Sequence, residues 1–245
     1  MKALGMIALL CGACTASVGG TPHDNSDGGF RGGGDDGGDE IDATPDAMPD
    51  ANLCPSGRQV YLDFAGVALT KSTDSDATMN YVSWSSHNNA NIPMWRQGDG
   101  NRDNEILDVT TDVQTALTPY HITVVTDRPT AGPYVMIAFG GGSGDAGTNW
   151  GIAANKLDCN DTVKSDVGWV TDDVTGQNAA NWALSTIGYG LGLDGNGDGG
   201  DCMDGWGYGQ QGSNPCTFND GANSGGGCGQ NQQDEATALM NFCSL

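Results

Sequence analysis

The sequence has little positive charge. Nine Lys and Arg residues stand against 31 Asp and Glu, giving a formal net charge of −22. Phosphate backbones and anionic lipid surfaces are held by Lys and Arg. This balance therefore excludes nucleic acid as a partner and charge-driven adhesion to a membrane. Glutamate is scarce as well: Glu40, Glu105 and Glu235 are the whole set, so nearly all of the acid is Asp. Histidine is limited to His23, His87 and His121. No two of them have the one-turn spacing that lets a pair of imidazoles face one metal. No C-x-x-C pair occurs, which removes zinc ribbons and dithiol redox motifs. Beyond the N-terminal leader, no apolar run approaches the roughly 20 residues that a membrane-spanning helix needs.

What is abundant is Asp together with 40 Gly. That composition makes turns and loops and supplies the hard oxygen ligands suited to calcium. The chain opens with "MK" and a short apolar core, "ALGMIALL". This core is too short to span a bilayer, so residues 1–13 read as an export signal. The following "CGAC" resembles the lipobox of bacterial lipoproteins, which implies lipidation of Cys14 and a tether at the cell envelope, on the outer membrane or cell surface. Cys11 stands where the lipobox prefers Leu, and an ordinary secretory signal is the other reading. Contact with a membrane is then expected only through this N-terminal lipid. Of the eight cysteines, Cys11 and Cys14 belong to the leader, leaving Cys54, Cys159, Cys202, Cys216, Cys228 and Cys243. An even number in an exported chain predicts three disulfides, with fifteen connectivities open. The pairing we expect is Cys54–Cys243 joining the domain ends, Cys159–Cys202, and Cys216–Cys228 closing a Gly/Asn loop.

Residues 14–53 are of low complexity, with segments such as "DNSDGGFRGGGDDGGDE". They carry too little apolar surface to offset the entropy of ordering, so they read as a disordered, acidic, Gly/Asp-rich tether. Residues 54–245 form the expected folded domain, long enough for a core, with a disulfide-rich C-terminal part. In "RQVYLDFAG" (58–66), Val60, Leu62 and Phe64 alternate with Gln59, Tyr61 and Asp63, which predicts a strand. Further strands are predicted over 121–126, opened by His121, and over 134–141 and 168–172. Residues 67–101 read as polar and turn-rich, anchored by Trp84 and Trp95. A helix over 104–120 presents Ile106, Val109, Val113 and Leu117 on one face, with Asp103 or Asn104 as its cap. A second helix, 176–193, presents Ala180, Leu184, Ile187 and Leu191. A closing helix is predicted over 231–243. The order of elements is that of an α/β or α+β fold.

The stretch "STIGYGLGLDG" (185–195), with Cys202-Met203 beyond it, carries the strongest motif. A zinc peptidase of the zincin type needs two His one helical turn apart and a Glu beside the first to activate the metal-bound water. In the metzincin pattern H-E-x-G-H-x-x-G-L-x-H, the helix breaks at a Gly, a third His follows, and a Met-turn supports the site. Gly188, Gly192 and Leu193 occupy the non-catalytic positions, and Met203 falls at the Met-turn. The stretch resembles the metzincin active site. "VYLDFAG", "YHITVVTDRP", "YVMIAFGG" and "GIA", in that order, resemble the catalytic domain of secreted bacterial metzincin-type metallopeptidases over residues 57 to 205. The resemblance implies an α/β (α+β) zincin fold: a twisted mixed sheet packed against an active-site-type helix and a second helix.

The chemical positions depart from that pattern. Ser185 replaces the first His, Thr186 the Glu, Tyr189 the second His and Gly195 the third. Neutral hydroxyls are poor zinc ligands, so zinc is not expected, nor peptide hydrolysis by that mechanism. The reading is a surface-tethered pseudo-metalloprotease that binds a peptide, protein or glycan in the old cleft, with Trp182, Tyr189 and Tyr208 as candidate lining. A hydrolase using unconventional ligands, or another chemistry on the same scaffold, is the alternative; a structural envelope protein is a third. Separately, "DGNGDGGD" places Asp194, Asn196 and Asp198 at D-x-[DN]-x-[DN]-G spacing, the first half of an EF-hand-type calcium loop. Gly205 stands at the twelfth position instead of Glu, leaving Asp201 or Asp204 to complete a Ca²⁺ shell. A solvated Gly/Asp loop is the plainer alternative. "DGNRDNE" (99–105) shares part of the spacing and reads as helix capping.

Overall fold

The structure is a computed structural model and describes residues 58–159, 161–195, 199–204 and 214–218. They belong to one compact unit with a mixed α/β architecture. The strands are β1 (Gln59–Asp63), β2 (Val67–Lys71), β3 (Tyr81–Val82), β4 (Asn89–Ile92), β5 (Thr123–Val125), β6 (Tyr134–Phe139), β7 (Ala153–Ala154) and β8 (Val167–Val170). The helices are α1 (Arg102–Leu117), α2 (Ser143–Ala146) and α3 (Gly176–Gly190). The main sheet runs β5-β1-β6-β8-β7, and the smaller one β3-β2-β4. Within the main sheet β5, β1, β6 and β8 are parallel, and the short β7 is antiparallel at the edge. β1 lies against β6 from Gln59↔Tyr134 to Asp63↔Ala138.

The main sheet is covered on both faces. All six residues of β6, "YVMIAF", are buried, as expected of a central parallel strand. On one face Val60, Leu62, Val135 and Ile137 meet Val109, Val113 and Leu117 of α1 and Ala180, Leu184 and Ile187 of α3. On the other, Tyr61, Met136, Ala138 and Trp169 meet Val67, Leu69, Ala90 and Ile92 of the small sheet. The alternation in 58–66 marks a strand, and the structure buries both of its faces. The small sheet corrects the reading of 67–101 as turns alone. Its strands are two to five residues long and embedded in Ser, Asp and Asn, too short for a period of two to stand out. Trp95 is fully buried against Phe64 and Phe139. Trp84 is tied by Nε1 to Val167 O at 2.6 Å. Both tryptophans are anchors, as the sequence suggests.

α1 begins at Arg102, ahead of the predicted start, with Asn101 at the N-cap and no side-chain cap bond. Arg102 instead fixes the start by donating to Trp95 O and Phe64 O, each at 2.7 Å. Glu105 in the first turn accepts from Gly176 N at 2.9 Å, pinning the start of α3 to α1. His121 does not open a strand. It ends a 3-10 turn (Thr118–Tyr120) in left-handed backbone, φ 56°, and donates its N–H to Thr118 O. No helix among the described residues is long and apolar enough to cross a membrane. The leader, the tether, Cys14 and the predicted 231–243 helix lie outside the described residues.

The disulfide pattern is corrected. Cys202 is bonded to Cys216, with Cα atoms 4.9 Å apart, which rules out Cys159–Cys202 and Cys216–Cys228. The cause is a short parallel bridge between Asp201 and Thr217. Cys202 N donates to Thr217 O at 2.9 Å and Thr217 N to Gly200 O at 3.0 Å, setting the two cysteines side by side. Cys159 is also disulfide-bonded, and its partner lies outside the described residues, as do both members of the expected Cys54–Cys243 pair.

Candidate functional site

α3 ends through two backbone bonds: Leu193 N donates to Gly188 O at 2.9 Å, and Gly192 N to Tyr189 O at 3.1 Å. This is a Schellman closure, which places Gly192 in left-handed backbone, φ 89°. Gly188 is required by close approach: a Cβ there would lie 2.5 Å from Met203 Sδ and 3.1 Å from Phe218 Cε1. Three frame residues of the motif thus have definite jobs. Gly192 turns the chain, Gly188 admits Met203, and Met203 itself is fully buried beneath the helix.

The four chemical positions have different surroundings. Ser185 is fully buried, and its Oγ has no hydrogen-bond partner among the described residues. Thr186 turns toward the sheet: its Oγ1 donates to Trp182 O at 2.7 Å, and its Cγ2 fills the space over Gly168 of β8. Tyr189 is half-buried, and burial first, then the charge of Asp194, raises its phenol pKa. Gly195 N donates to Asp194 Oδ1 at 2.8 Å. Among the described residues no group of three or more His, Cys, Asp or Glu side chains has the arrangement to hold a metal ion. Trp182 is 3% exposed and sits in the helix-side core. Its ring packs and offers no open face to a ligand, which corrects its assignment to a cleft. Tyr208 lies outside the described residues.

Of the candidate calcium residues, Asp194 and Asp201 are described and both are buried. Asp201 Oδ1 accepts from Met203 N at 2.7 Å, so this carboxylate shapes the Met203 turn. Asp204 is described in the same turn, its N–H donating to Asp201 O at 3.1 Å. Asn196 and Asp198 lie outside the described residues.

A second cluster, unmarked by any motif, lies beside the other face of α3. Asp166, just before β8, is 3% exposed. Asn155, just after β7, donates through Nδ2 to Asp166 Oδ2 at 2.8 Å and to Thr186 O at 3.0 Å. Val167 N donates to Asp166 Oδ1 at 2.8 Å. Burial pushes the Asp166 carboxyl up to about 6, opposed by those two hydrogen bonds and aided by Asp158 and Asp161. α3 presses on this group at Gly190, where a Cβ would lie 2.0 Å from Asp166 Oδ2. Asp166 floors a small pocket of about 50 Å³ whose walls include Asp74, Lys156 and Asp158. Behind it, Arg58 Nη1 donates to both oxygens of Asp161 at 3.1 Å, both side chains being essentially fully buried. Lys164 Nζ adds a contact to Asp161 at 2.9 Å. In sequence, the only sign of Asp166 is an acid directly before an apolar strand, "SDVGWV".

Comparison with protein-family models and with curated proteins finds no match for this chain.

Proposed function

We propose that the chain is an exported, lipid-tethered domain of metzincin-like fold that has lost peptide hydrolysis and acts by binding a peptide, protein or glycan. The observation that carries this reading is the seat of Met203 against Gly188, directly under the helix face that holds Ser185. A Met lodged against the motif's Gly188, with a helix stop at Gly192, is what the motif resemblance implies, while hydroxyls stand where metal-binding side chains would be. The mixed sheet packed on α1 and α3 supports the same reading. Metal analysis of the purified chain tests it, together with digestion of an unstructured protein substrate with and without chelator. The expected result is no stoichiometric zinc and no chelator-sensitive cleavage; finding both would overturn the reading.

The hydrolase alternative has one specific observation in its favour, the Asp166 carboxyl pushed up to about 6 by burial in a pocket with Lys156, the kind of group acid–base chemistry uses. Asp166→Asn would abolish any hydrolysis of that origin. We further propose calcium at the Asp194–Asp201 loop, tested by a rise in melting temperature on adding Ca²⁺ that Asp194→Ala removes. Lipidation at Cys14 is tested by fatty-acid labelling that Cys14→Ser abolishes.

A further inference from the structure

We propose that residues 214–218 are a built-in peptide ligand, an autoinhibitory strap that occupies an extended-peptide site on the motif face of α3. The proposal rests on the reading that this face is the binding face, and it narrows the ligand to a peptide. Asn181, Ser185 and Gly188 lie at i, i+4 and i+7, on one face of the helix. At one end of that face the Asn181 amide reads the strap's backbone: Nδ2 donates to Asn214 O at 2.8 Å, and Oδ1 accepts from Cys216 N at 3.3 Å. Gln177 Nε2 donates to the same Oδ1 at 3.0 Å and fixes the amide's orientation. At the other end Phe218 enters the space left by Gly188 and meets Tyr120 edge-on, ring centroids 6.1 Å apart. Between the two anchors Ser185 is fully buried, with a hydroxyl that has no partner among the described residues. On its far side the strap is bridged to residues 200–202 through Thr217 and bonded covalently through Cys216.

These contacts define the ligand chemistry. The strap is held by two bonds from one amide side chain to its backbone, one backbone bridge and one aromatic ring. An extended segment with an aromatic residue two positions after the amide N–H read by Asn181 satisfies the same contacts. The net gain from a few hydrogen bonds and one buried ring is comparable with the entropy of ordering five residues. The Cys202–Cys216 bond tips that balance by holding the strap at high effective concentration. An outside peptide therefore competes poorly while the bond is intact.

The test uses the full chain, its Cys202→Ser/Cys216→Ser variant, and a labelled synthetic peptide of residues 212–220 with Ser at the Cys216 position. The double variant is expected to bind the peptide at least tenfold more tightly than the parent chain, and adding Asn181→Ala should abolish that binding. Equal binding to both chains, binding by neither, or binding indifferent to Asn181→Ala overturns the proposal. Hydrogen exchange keeps the outcome decisive. Amides of Cys216 (as Ser) and Thr217 are expected to lose protection while those of β1 and β6 keep theirs. Loss of protection throughout the sheet would make the disulfide a staple of the whole fold and overturn the strap as a displaceable ligand. Zinc with chelator-sensitive cleavage in the parent chain would sink the proposed function without changing these peptide and exchange results.

Discussion

Two faces of the same helix differ in kind. The Asn181–Ser185–Gly188 face of α3 lies over Met203, Phe218 and the Cys202–Cys216 bond. The Thr186–Gly190 face lies against Asn155, Asp166 and a pocket walled by charge. The first is the face marked by the motif, and the residues it retains shape backbone and packing. The second has no motif and holds Asp166, whose carboxyl burial pushes up to about 6. On the motif face the glycines and the methionine serve backbone and packing: Gly192 turns the chain and Gly188 admits Met203. Buried charge, in contrast, is assembled from the loops between β7, β8 and the helix, and no local spacing announces it.

The strongest way to break this contrast is to attack the charged side. Asp161→Ala would leave the Arg58 guanidinium buried without its bidentate partner. Removing one partner of a buried pair costs about 3–5 kcal/mol. Lys164 lies 31% exposed and can turn to water, so the loss falls mainly on the buried Arg58. Urea denaturation should show the loss. A change below about 1 kcal/mol, the level of a surface pair, would mean that this cluster is no more than solvated surface. On the motif side, Gly188→Ala would force a Cβ to 2.5 Å from Met203 Sδ. Overpacking of that kind costs about 1–3 kcal/mol, and the thioether's flexibility favours the lower half of that range. A neutral Gly188→Ala in thermal melts would show that Met203 is not seated against the helix.

Asp166 provides the pH arm of the comparison. Its folded-state carboxyl titrates at about 6, above the ordinary value of 3.8. The folded protein therefore holds this proton more tightly than the unfolded chain does. The stabilising contribution is complete below about pH 3.8 and is lost as pH rises through about 6. Between pH 7 and pH 5 the protein should gain about 1 kcal/mol from this group, a rise of a few degrees in Tm. Relief of repulsion among the other acids adds to any such rise, so the comparison is with Asp166→Asn, which should show a smaller gain over the same interval. Identical pH profiles for the two chains would place the Asp166 titration elsewhere.

What was legible in the sequence follows the same divide. β6 and β8 stand out as apolar, β-branched runs, and α1 as Val109, Val113 and Leu117 at helical spacing, because burial on a regular element leaves a period. The helix over 176–193 was legible, but it ends earlier, at Gly190, because Gly192 takes the left-handed conformation of a C-cap. The small sheet was not, since five residues of β2 and two of β3 hold too few alternations to separate from turns. The Cys202–Cys216 bond was not, since it depends on the single Asp201↔Thr217 bridge. Asp166 was hidden among 31 acidic residues. Its distinction is three-dimensional: the side chain of Asn155 and the bare Cα of Gly190 enclose it.

The smallest expected effect separates the two faces most sharply. Ser185 occupies the first ligand position of the motif, yet its buried hydroxyl has no partner among the described residues. Burying a hydroxyl without a compensating bond is unfavourable, and Ala removes the hydroxyl while keeping the Cβ and the better helix former. Ser185→Ala should leave stability unchanged or raise it by up to about 1 kcal/mol, read as an equal or higher urea midpoint with an unchanged m-value. Thr186→Ala on the opposite face should lower it, because the Cγ2 packed over Gly168 is lost. The reverse ordering, with Ser185→Ala the more damaging change, would mean that the hydroxyl is satisfied in solution by a group the fold supplies. The motif face would then hold a polar site of its own.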